Sequence, residues 1–408
     1  MAPPPRPPMR RPPDLMEELV EEVLLRFPPD DPASLVRAAL VSRRWCRLIS
    51  GGRFRRRFRE IHRAAPMLGF VLNVLASAVV DDSQDTIRFV PTSSCLPHVD
   101  RLRGRALDAR HGRVFLYRRA DYSWGDDCLD TLVVWDPVTG EEMQLPSLPM
   151  DRYYPFPVSF NAALLCACGG ACGGHLDCNR GPFVIVFVGI YEDWMVAYVY
   201  SSEAGAWSEP SIAQHPRDFV DLAPAAVAEN AVYFLFGSTN RILKYDLGTR
   251  RMSLIDMPST FTSFGHNILM TTDEGRLGFI RADDFKVYIW SMEAVNPQDD
   301  VVWRQDRVIE LQDLLPADAL LSSPAAVGFV NGHGVIFVGT EDGFYTIDLK
   351  SNEAMKVGKG IACTKQGRDV DLGFIVYGHK YYIVVPYTSF FFPGTTYSIF
   401  LFANIWIA

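Results

Sequence analysis

The chain has 408 residues, of which 48% are hydrophobic and 22% charged, and its formal net charge is −8 at pH 7. This composition is typical of a folded globular protein with room for two or three domains, and it excludes a largely disordered chain. Residues 1–66 contain 14 Arg and 8 acidic residues, so the rest of the chain carries a formal charge of −14. Because an acidic surface repels backbone phosphates, we expect no nucleic-acid partner.

The first 13 residues are rich in proline and lack the apolar stretch of a secretory signal, which predicts a disordered lead. No apolar run reaches the roughly 20 residues that span a bilayer. The nearest candidate, residues 395–408, is shorter and directly follows a Pro-Gly pair. We therefore expect no membrane partner, a location in the cytosol or nucleus, and cysteines in the thiol form.

Residues 15–27 predict an amphipathic helix. Leu15, Leu19 and Val23 recur at intervals of four, while glutamates occupy the opposite side. The two prolines at positions 28 and 29 predict its end, because the residue before a proline disfavours helical backbone.

Two further short helices are predicted before residue 63. Asp31 followed by Pro32 has the composition of a helix start, and Trp45, Leu48 and Ile49 indicate a third helix. A three-helix unit of this size buries too little apolar surface to be stable by itself. We therefore expect its excess apolar residues to be covered by a partner or by the rest of the chain.

The same region resembles a known family. Residues 15–29 (LMEELVEEVLLRFPP), 34–37 (SLVR) and 41–49 (VSRRWCRLI) are similar to the F-box of plant ubiquitin-ligase receptors. The family pattern reads L-P-x-D-L-x-x-E-I-L-x-R-L-P-P and then S-L-x-R-x-x-x-V-C-K-x-W-R-x-L-I. This sequence departs from it at Met16, where a proline that touches the adaptor is usual, and at Ser42, where cysteine is usual.

The resemblance implies a docking site for the Skp-type adaptor of a cullin ubiquitin ligase. The residues assigned to adaptor binding, by resemblance and by apolar excess, are Leu15, Met16, Leu19, Val23, Leu24, Pro28, Leu35, Val41 and Trp45. Some of these are expected to be internal core instead. The arginine-rich run 53–59 is interpreted as a solvated helix end, with a nuclear signal or phosphate patch as the alternative.

Beyond residue 66 the spacing of apolar residues changes from helical to alternating, and one sequence pattern recurs. An apolar strand, an acid or serine and a turn are followed by another strand; the anchors are Asp136, Ser201, Asp246, Ser291 and Asp348. The spacings of 65, 45, 45 and 57 residues match the length of a four-stranded propeller blade. The first and last predicted strands are left over, and pairing them closes a ring without exposed edges.

The predicted fold is therefore an α+β multidomain chain, in which a small N-terminal three-helix F-box precedes an all-β propeller of about six blades. The predicted domains are the lead at 1–13, the F-box at 14–63, the propeller at 67–393 and an apolar C-terminal extension at 394–408. The repeats also resemble the propeller that follows the F-box in many grass proteins.

Four cysteines and His175 lie between residues 166 and 178, and these are the ligand types of tetrahedral zinc. Structural zinc sites usually take ligand pairs from two separate positions, whereas here all five lie in one glycine-rich loop. We therefore expect no metal and no cofactor. The sequence also contains no P-loop, no nucleophile elbow and no zinc-protease motif, which predicts a non-catalytic protein.

Two functions remain open. In the first, the chain is the substrate-recognition subunit of an SCF-type cullin–RING ubiquitin ligase, with the F-box on the adaptor and the propeller on a target protein. The alternative is a propeller hydrolase or a lectin-like binding protein with an unrelated helical cap. Aromatic residues in predicted loops are the candidates for the target-binding face: Tyr122, Trp124, Tyr153, Tyr154, Phe156, Phe261 and Phe264.

Overall fold

The computed structural model describes residues 16–76, 85–119, 130–149, 157–167, 180–214, 216–258, 267–293, 301–359 and 380–393. The chain divides into two compact units, one formed by Met1–Arg63 with Phe390–Ala408 and the other by Ala64–Ser389. We call them the helical unit and the propeller unit. The lead at 1–13 and the extension at 394–408 lie outside the described residues.

The described part of the helical unit contains four helices: α1 (Glu17–Leu24), α2 (Pro32–Val41), α3 (Arg43–Ser50) and α4 (Gly52–His62). The expectation of three helices is corrected, because the arginine-rich run forms α4. Phe54 and Phe58, four residues apart, are buried in the core of the unit. This spacing of two aromatic residues among arginines is the sequence signal for the fourth helix.

The starts of α2 and α3 follow from the sequence. Asp31 occupies the N-cap of α2 with Pro32 as its first residue, as predicted, and its carboxylate accepts a hydrogen bond from Ser34 Oγ at 2.5 Å. Ser42 ends α2 and caps α3, because its Oγ accepts the backbone N–H of Trp45 at 3.2 Å. The departure from the family pattern at Ser42 therefore places a capping hydroxyl between two helices.

An ion-pair network joins α4 to α1. Arg57 donates to the buried Glu21 at 2.8 Å and to Glu22 at 2.5 Å, and Arg53 lies 3.7 Å from Glu21. The hydrogen bond from Arg57 holds the pKa of Glu22 below its usual value, and the same contact raises the pKa of Arg57. At least this arginine is therefore committed to helix packing rather than to an external phosphate.

The helical unit is completed by residues from the other end of the chain. Phe392 is buried in its core and meets the ring of Phe58 edge-on, with 5.7 Å between the ring centroids. The guanidinium groups of Arg55 and Arg59 lie 5.5 and 5.6 Å from the centre of the Phe392 ring, within the range of a cation–π contact. The propeller unit as a compact unit ends at Ser389, and the domain boundary at residue 393 stays a prediction.

We expect Phe392→Ala to destabilise the helical unit by about 3 kcal/mol, because it removes a buried ring and leaves a cavity beside Phe58. Hydrogen–deuterium exchange of the full chain should then show faster exchange throughout α4. Ile61→Ala is the matched control, since Ile61 lies on α4 and is exposed. Equal protection of α4 in the Phe392 variant and in the wild type would contradict this assignment.

The described strands of the propeller unit form six sheets. The first three strands are β1 (Met67–Ala76), β2 (Thr86–Pro91) and β3 (Val99–Arg103). Blades 1 and 2 are β4–β7 (Arg105–Arg110, Arg113–Arg118, Thr131–Trp135, Glu142–Gln144) and β8–β12 (Ser159–Cys166, Phe183–Ile190, Trp194–Ser201, Ala206–Trp207, Ser211–Gln214). Blades 3 to 5 are β13–β16 (Ala226–Ala228, Ala231–Leu235, Arg241–Asp246, Met252–Asp256), β17–β20 (Asn267–Thr271, Leu277–Asp283, Lys286–Met292, Trp303–Glu310) and β21–β24 (Ala325–Val330, Val335–Thr340, Gly343–Asp348, Ala354–Lys359). The last strand is β25 (Lys380–Thr388).

The ring closes as the sequence predicted. β25 pairs antiparallel with β1, and the order β25-β1-β2-β3 makes a sixth blade from the two ends of the propeller unit. Tyr387 anchors this closing blade to blade 1, because its hydroxyl donates to Gly112 O at 3.1 Å and lies 3.3 Å from Asp136 Oδ1. Burial raises the pKa of Tyr387 well above its usual value, and the nearby Asp136 carboxylate adds to the effect.

We expect Tyr387→Phe to lower the free energy of unfolding by about 1 kcal/mol, because the buried acceptors lose their donor. Urea unfolding of the full chain measures the change. Tyr233→Phe is the matched control: Tyr233 is also fully buried, and its hydroxyl has no hydrogen-bond partner among the described residues. A loss of similar size in both variants would show that the hydroxyl of Tyr387 stabilises the protein by filling space and not by its hydrogen bonds to the neighbouring blade.

The recurring anchors of the sequence have a structural explanation. Asp136, Asp246 and Asp348 follow or end the third strand of their blades, and each carboxylate accepts a backbone N–H from the following turn, at 2.8, 2.7 and 2.7 Å. Ser201 accepts the N–H of Ala204 in the same way at 3.3 Å. These bonds are the local side-chain turns that Asp and Ser favour, so four of the five anchors mark the hairpin between the third and fourth strands. The fifth, Ser291, lies inside β19 instead.

The apolar core lies between neighbouring blades. Separate clusters fill the spaces between blades 1 and 2, blades 2 and 3, blades 3 to 5, and blade 5 and the closing blade. Two tryptophans on outer strands add a polar link between blades: Trp207 donates to Pro146 O and Trp303 to Asp256 O, both at 2.9 Å. Each blade is therefore stabilised mainly by its two neighbours.

Strand direction gives the propeller unit two distinct faces. We define the terminal face as the one at which β1 begins and β25 ends, where Gly112 N donates to Thr388 O at 3.2 Å. The far face is opposite; there the inner strands of blades 1 to 5 begin, and Val220 N donates to Ser159 Oγ at 3.0 Å. Because strands alternate in direction, connections between second and third strands, and between blades, lie on the far face.

Candidate functional site

The helical unit exposes a group of apolar side chains. Met16, Leu19 and Val23, spaced by three and four residues along the start and body of α1, are 64%, 50% and 58% exposed. Leu40 and Val41, at the end of α2, are 60% and 66% exposed. We call these five residues the helical patch. Exposed apolar residues gathered on so small a unit are typical of a binding surface.

An ion pair links α1 to α3, the helix that follows α2. Arg44, three residues after Val41, lies 3.2 Å from the carboxylate of Glu17, which follows Met16. Each partner of this ion pair is therefore near one part of the helical patch in sequence. The exposed ion pair itself contributes little to stability.

The structure divides the nine residues predicted to bind the adaptor. Met16, Leu19, Val23, Pro28 and Val41 are exposed, and Trp45 is half-buried. Leu15 lies outside the described residues.

Two of the nine are buried in the core of the helical unit. Leu24 and Leu35 are each 1% exposed, in the core that joins the helices. Leu24 points inward because α1 carries apolar residues on two sides, with Val20 and Leu24 facing the core and Leu19 and Val23 facing outward. Sequence spacing gives no rule for choosing between these two sides.

Leu40 is a member of the helical patch that the sequence analysis missed. It adjoins Val41 at the end of α2, and both side chains are exposed. Sequence spacing gave no signal for its exposure, because another adjacent apolar pair, Leu24 and Leu25 at the end of α1, is buried.

All seven aromatic residues predicted for the target-binding face lie outside the described residues. The strand residues that flank them, however, all lie on the far face. The flanking residues are Arg118 and Thr131, Gln144 and Ser159, and Asp256 and Asn267. The three connections therefore start and finish on one face, and the assignment of their aromatic residues to target binding stays a prediction.

The described part of the far face has its own exposed apolar residues, which the sequence analysis missed. Val158, Trp194 and Phe219 are 81%, 42% and 47% exposed. Val158 precedes the first strand of blade 2, and Trp194 begins the third. Phe219 is next to Val220, whose N–H is bound to Ser159, so it is a near neighbour of Val158. We call these three residues the far-face patch.

Asp218 fixes the backbone beside Phe219. Its carboxylate accepts the backbone N–H groups of Ser238 and Thr239 at 2.9 and 3.0 Å, and it also accepts both of their hydroxyls. Burial alone raises the pKa of this carboxyl, but the hydrogen bonds from Ser238 and Thr239 together outweigh burial and hold the pKa below its usual value.

We expect Asp218→Asn to lower stability at pH 7 by about 2 kcal/mol, because a charged acceptor with five donors, the fifth being the N–H of Phe219, is lost. A carboxyl whose folded pKa is lowered stabilises the protein above its unfolded pKa, and this contribution disappears as the pH falls through the folded pKa. The melting temperatures of variant and wild type should thus converge below about pH 4. Asp313→Asn, an exposed carboxyl on the same face, is the control, and a gap that stays constant with pH would contradict the prediction.

A cavity of about 210 Å³ opens in the centre of the ring, lined by inner strands of several blades. Its described lining includes one carboxylate, Asp108, which accepts the N–H of Leu164 at 2.8 Å and the Nε of Arg110 at 2.8 Å. Arg110 also donates to Ala225 O at 2.6 Å. Glycoside hydrolysis usually needs two carboxylates about 5 to 10 Å apart, and this one already serves to join blades, so the described cavity does not support the hydrolase alternative.

Of the five residues weighed as zinc ligands, only Cys166 lies within the described residues, at the end of β8. Within the described ranges, no group of three His, Cys, Asp or Glu side chains is arranged to hold a metal ion. None of the helices in that same part of the chain is long and apolar enough to cross a bilayer.

The described chain thus consists of two modules, a helical unit with an exposed apolar patch and a propeller unit with a ring of six blades. Comparison with protein families agrees with both modules. Residues 13–57 match the F-box domain, and residues 105–358, more than half of the chain, match the family described as F-box protein AT5G49610-like, beta-propeller. The chain belongs to this family of F-box proteins with a C-terminal propeller.

No curated protein matches the chain. Among solved structures, a protein from Lactobacillus plantarum is 10% identical with a TM-score of 0.40, covering 71% of this chain and 82% of that one. The periplasmic gluconolactonase of Pseudomonas aeruginosa is 13% identical with a TM-score of 0.36, covering 71% and 82%. The WD40 domain of SCAP from fission yeast is 12% identical with a TM-score of 0.35, covering 62% and 52%. Similarities at this level carry no information on function.

Proposed function

We propose that this chain is the substrate-recognition subunit of an SCF-type cullin–RING ubiquitin ligase. The observation that carries the proposal is the helical patch, which lies on the helices that match the F-box. In this proposal the helical patch binds a Skp-type adaptor, and the adaptor connects the chain to the cullin. The propeller then holds a target protein whose ubiquitination leads to degradation.

The mechanism in this proposal is proximity. A receptor that binds the adaptor at one module and the target at the other raises the local concentration of target lysines near the charged ubiquitin-conjugating enzyme. The bond-forming chemistry takes place on the enzymes of the complex, so the chain needs no catalytic residue of its own. The two modules instead have to bind at the same time.

The far face is the part of the propeller that we assign to the target. Both ends of the propeller unit, Met67 and Thr388, lie on the terminal face, so neither end of this unit occupies the far face. Its loops are also where the aromatic segments of the sequence begin and end. Loops held by a rigid scaffold are the usual place for recognition residues.

Two finer points belong to the proposal. The resemblance of the repeats to grass proteins supports a receptor of the grass type. A location in the cytosol or nucleus goes with the ligase role, because that is where an SCF-type ligase would meet its targets.

We expect Leu19→Asp with Val23→Asp to abolish binding of a purified Skp-type adaptor, measured by calorimetry with the full chain. Truncation of a single interface anchor typically costs about 2 kcal/mol or more, and each aspartate adds the cost of a charge in an apolar contact. Both side chains are exposed in the free protein, so the fold should be unaffected.

Ile61→Asp is the matched control for this experiment, because Ile61 is an exposed apolar residue on α4, outside the helical patch. It should leave adaptor affinity unchanged. Leu35→Ala is unsuitable as a binding test, since Leu35 is buried and its loss acts on stability. Full adaptor affinity in the α1 double variant would refute the proposed docking surface.

A further inference from the structure

The far-face patch combines apolar exposure with a rigid frame. The ring of Phe219 lies directly against Gly237, where an added Cβ would come within 1.9 Å of it. Only glycine leaves room for the ring at that position. Together with the Asp218 hydrogen bonds, this contact fixes an aromatic side chain that is half exposed, so its surface is available for binding without rearrangement.

Trp194 is held in a comparable way. Its ring packs against the buried Tyr191, with 5.9 Å between the ring centroids and 32° between the ring planes. The N–H of Tyr191 donates to Trp194 O at 2.9 Å, closing a tight turn between the second and third strands of blade 2. Rigid, half-exposed tryptophans are strongly enriched among residues that dominate binding energy.

The turn beside Trp194 is acidic. Glu192 and Asp193 form the tip of the turn between Tyr191 and Trp194, and both are exposed, whereas the exposed Arg217 lies two residues before Phe219. The formal charge of −14 beyond residue 66 has the same sign, so the field at this face favours a cationic partner.

We propose that the far-face patch binds a target segment in which an aliphatic or aromatic residue is flanked by lysine or arginine. The apolar residue contacts Val158, Trp194 and Phe219, and the basic residues face Glu192 and Asp193. This inference deepens the proposed function by naming the chemistry of the target, and it rests on the far face being the target-binding side.

The test uses the purified full chain and a set of synthetic peptides in which one leucine, phenylalanine or tryptophan lies between lysines, between serines or between glutamates. Affinities are measured by fluorescence anisotropy at low and high salt. We expect the lysine-flanked peptides to bind best, followed by serine and then glutamate, and the preference to weaken with salt because exposed charges are screened.

Three variants of the patch separate its apolar and charged contributions. Trp194→Ala should weaken binding at least tenfold for every flank, as expected for loss of a central aromatic anchor. Val158→Asp should also weaken binding at least tenfold. Because this side chain is 81% exposed, the variant should keep its fold, and it serves as the test if Trp194→Ala loses thermal stability. Glu192→Lys with Asp193→Lys should reverse the preference, so that glutamate-flanked peptides bind best.

Matched controls come from other parts of the propeller. Met355→Ala removes an exposed apolar side chain from the outer strand of blade 5, and Glu203→Lys reverses an exposed charge on the terminal face of blade 2. Both should bind like the wild type. Equal binding of the three flank classes, or wild-type affinity in Trp194→Ala and Val158→Asp, would overturn the inference.

Adaptor binding by the same preparations separates this inference from the proposed function. Peptide selectivity that depends on the patch, without adaptor binding, would refute the ligase role and keep the patch as a peptide-binding site. Adaptor binding without peptide selectivity would refute the patch and leave the ligase role in place.

Discussion

The pairing of β25 with β1 is the interaction on which the propeller depends. It joins residues 380–388 to residues 67–76, so it brings together segments about 300 positions apart and closes a ring that otherwise ends in two exposed edges. Tyr387 adds side-chain contacts to Gly112 and Asp136 at the same seam. Because each blade is covered by its neighbours, every inter-blade core depends on this closure.

The helical unit depends on a long-range contact of the same kind. Its four described helices are too few to cover Phe54 and Phe58 by themselves, and Phe390 and Phe392 supply the missing rings. Arg55 and Arg59 face these rings. Arginine suits the position better than lysine, because its planar guanidinium stacks on an aromatic face. The abundance of arginine in this helix is thus explained at two positions by packing.

The two faces of the propeller differ in which parts of the chain they carry. Both ends of the propeller unit lie on the terminal face, and the far face holds the connections between blades. Val158, Trp194 and Phe219 belong to the far face; Trp194 is held by its contact with Tyr191, and Phe219 by Gly237 and the Asp218 hydrogen bonds. A receptor that binds through preformed aromatic surface loses less conformational entropy on binding than one that orders a loop. The contacts that hold the rings of Trp194 and Phe219 in place reduce this loss.

The sequence by itself determined the order of modules, a ring of about six blades and the helix start at Asp31, because caps, turns and alternating patterns are local properties of the chain. It also located the hairpin turns, since Asp136, Asp246 and Asp348 bond to the backbone a few residues away. Only the tertiary structure decided that Leu24 and Leu35 are core while Leu19 and Val23 are surface, that Phe392 belongs with the helices, and that Val158 and Phe219 are neighbours. Those facts depend on which distant segments pack together, and a local pattern of apolar residues does not specify which segment will cover them.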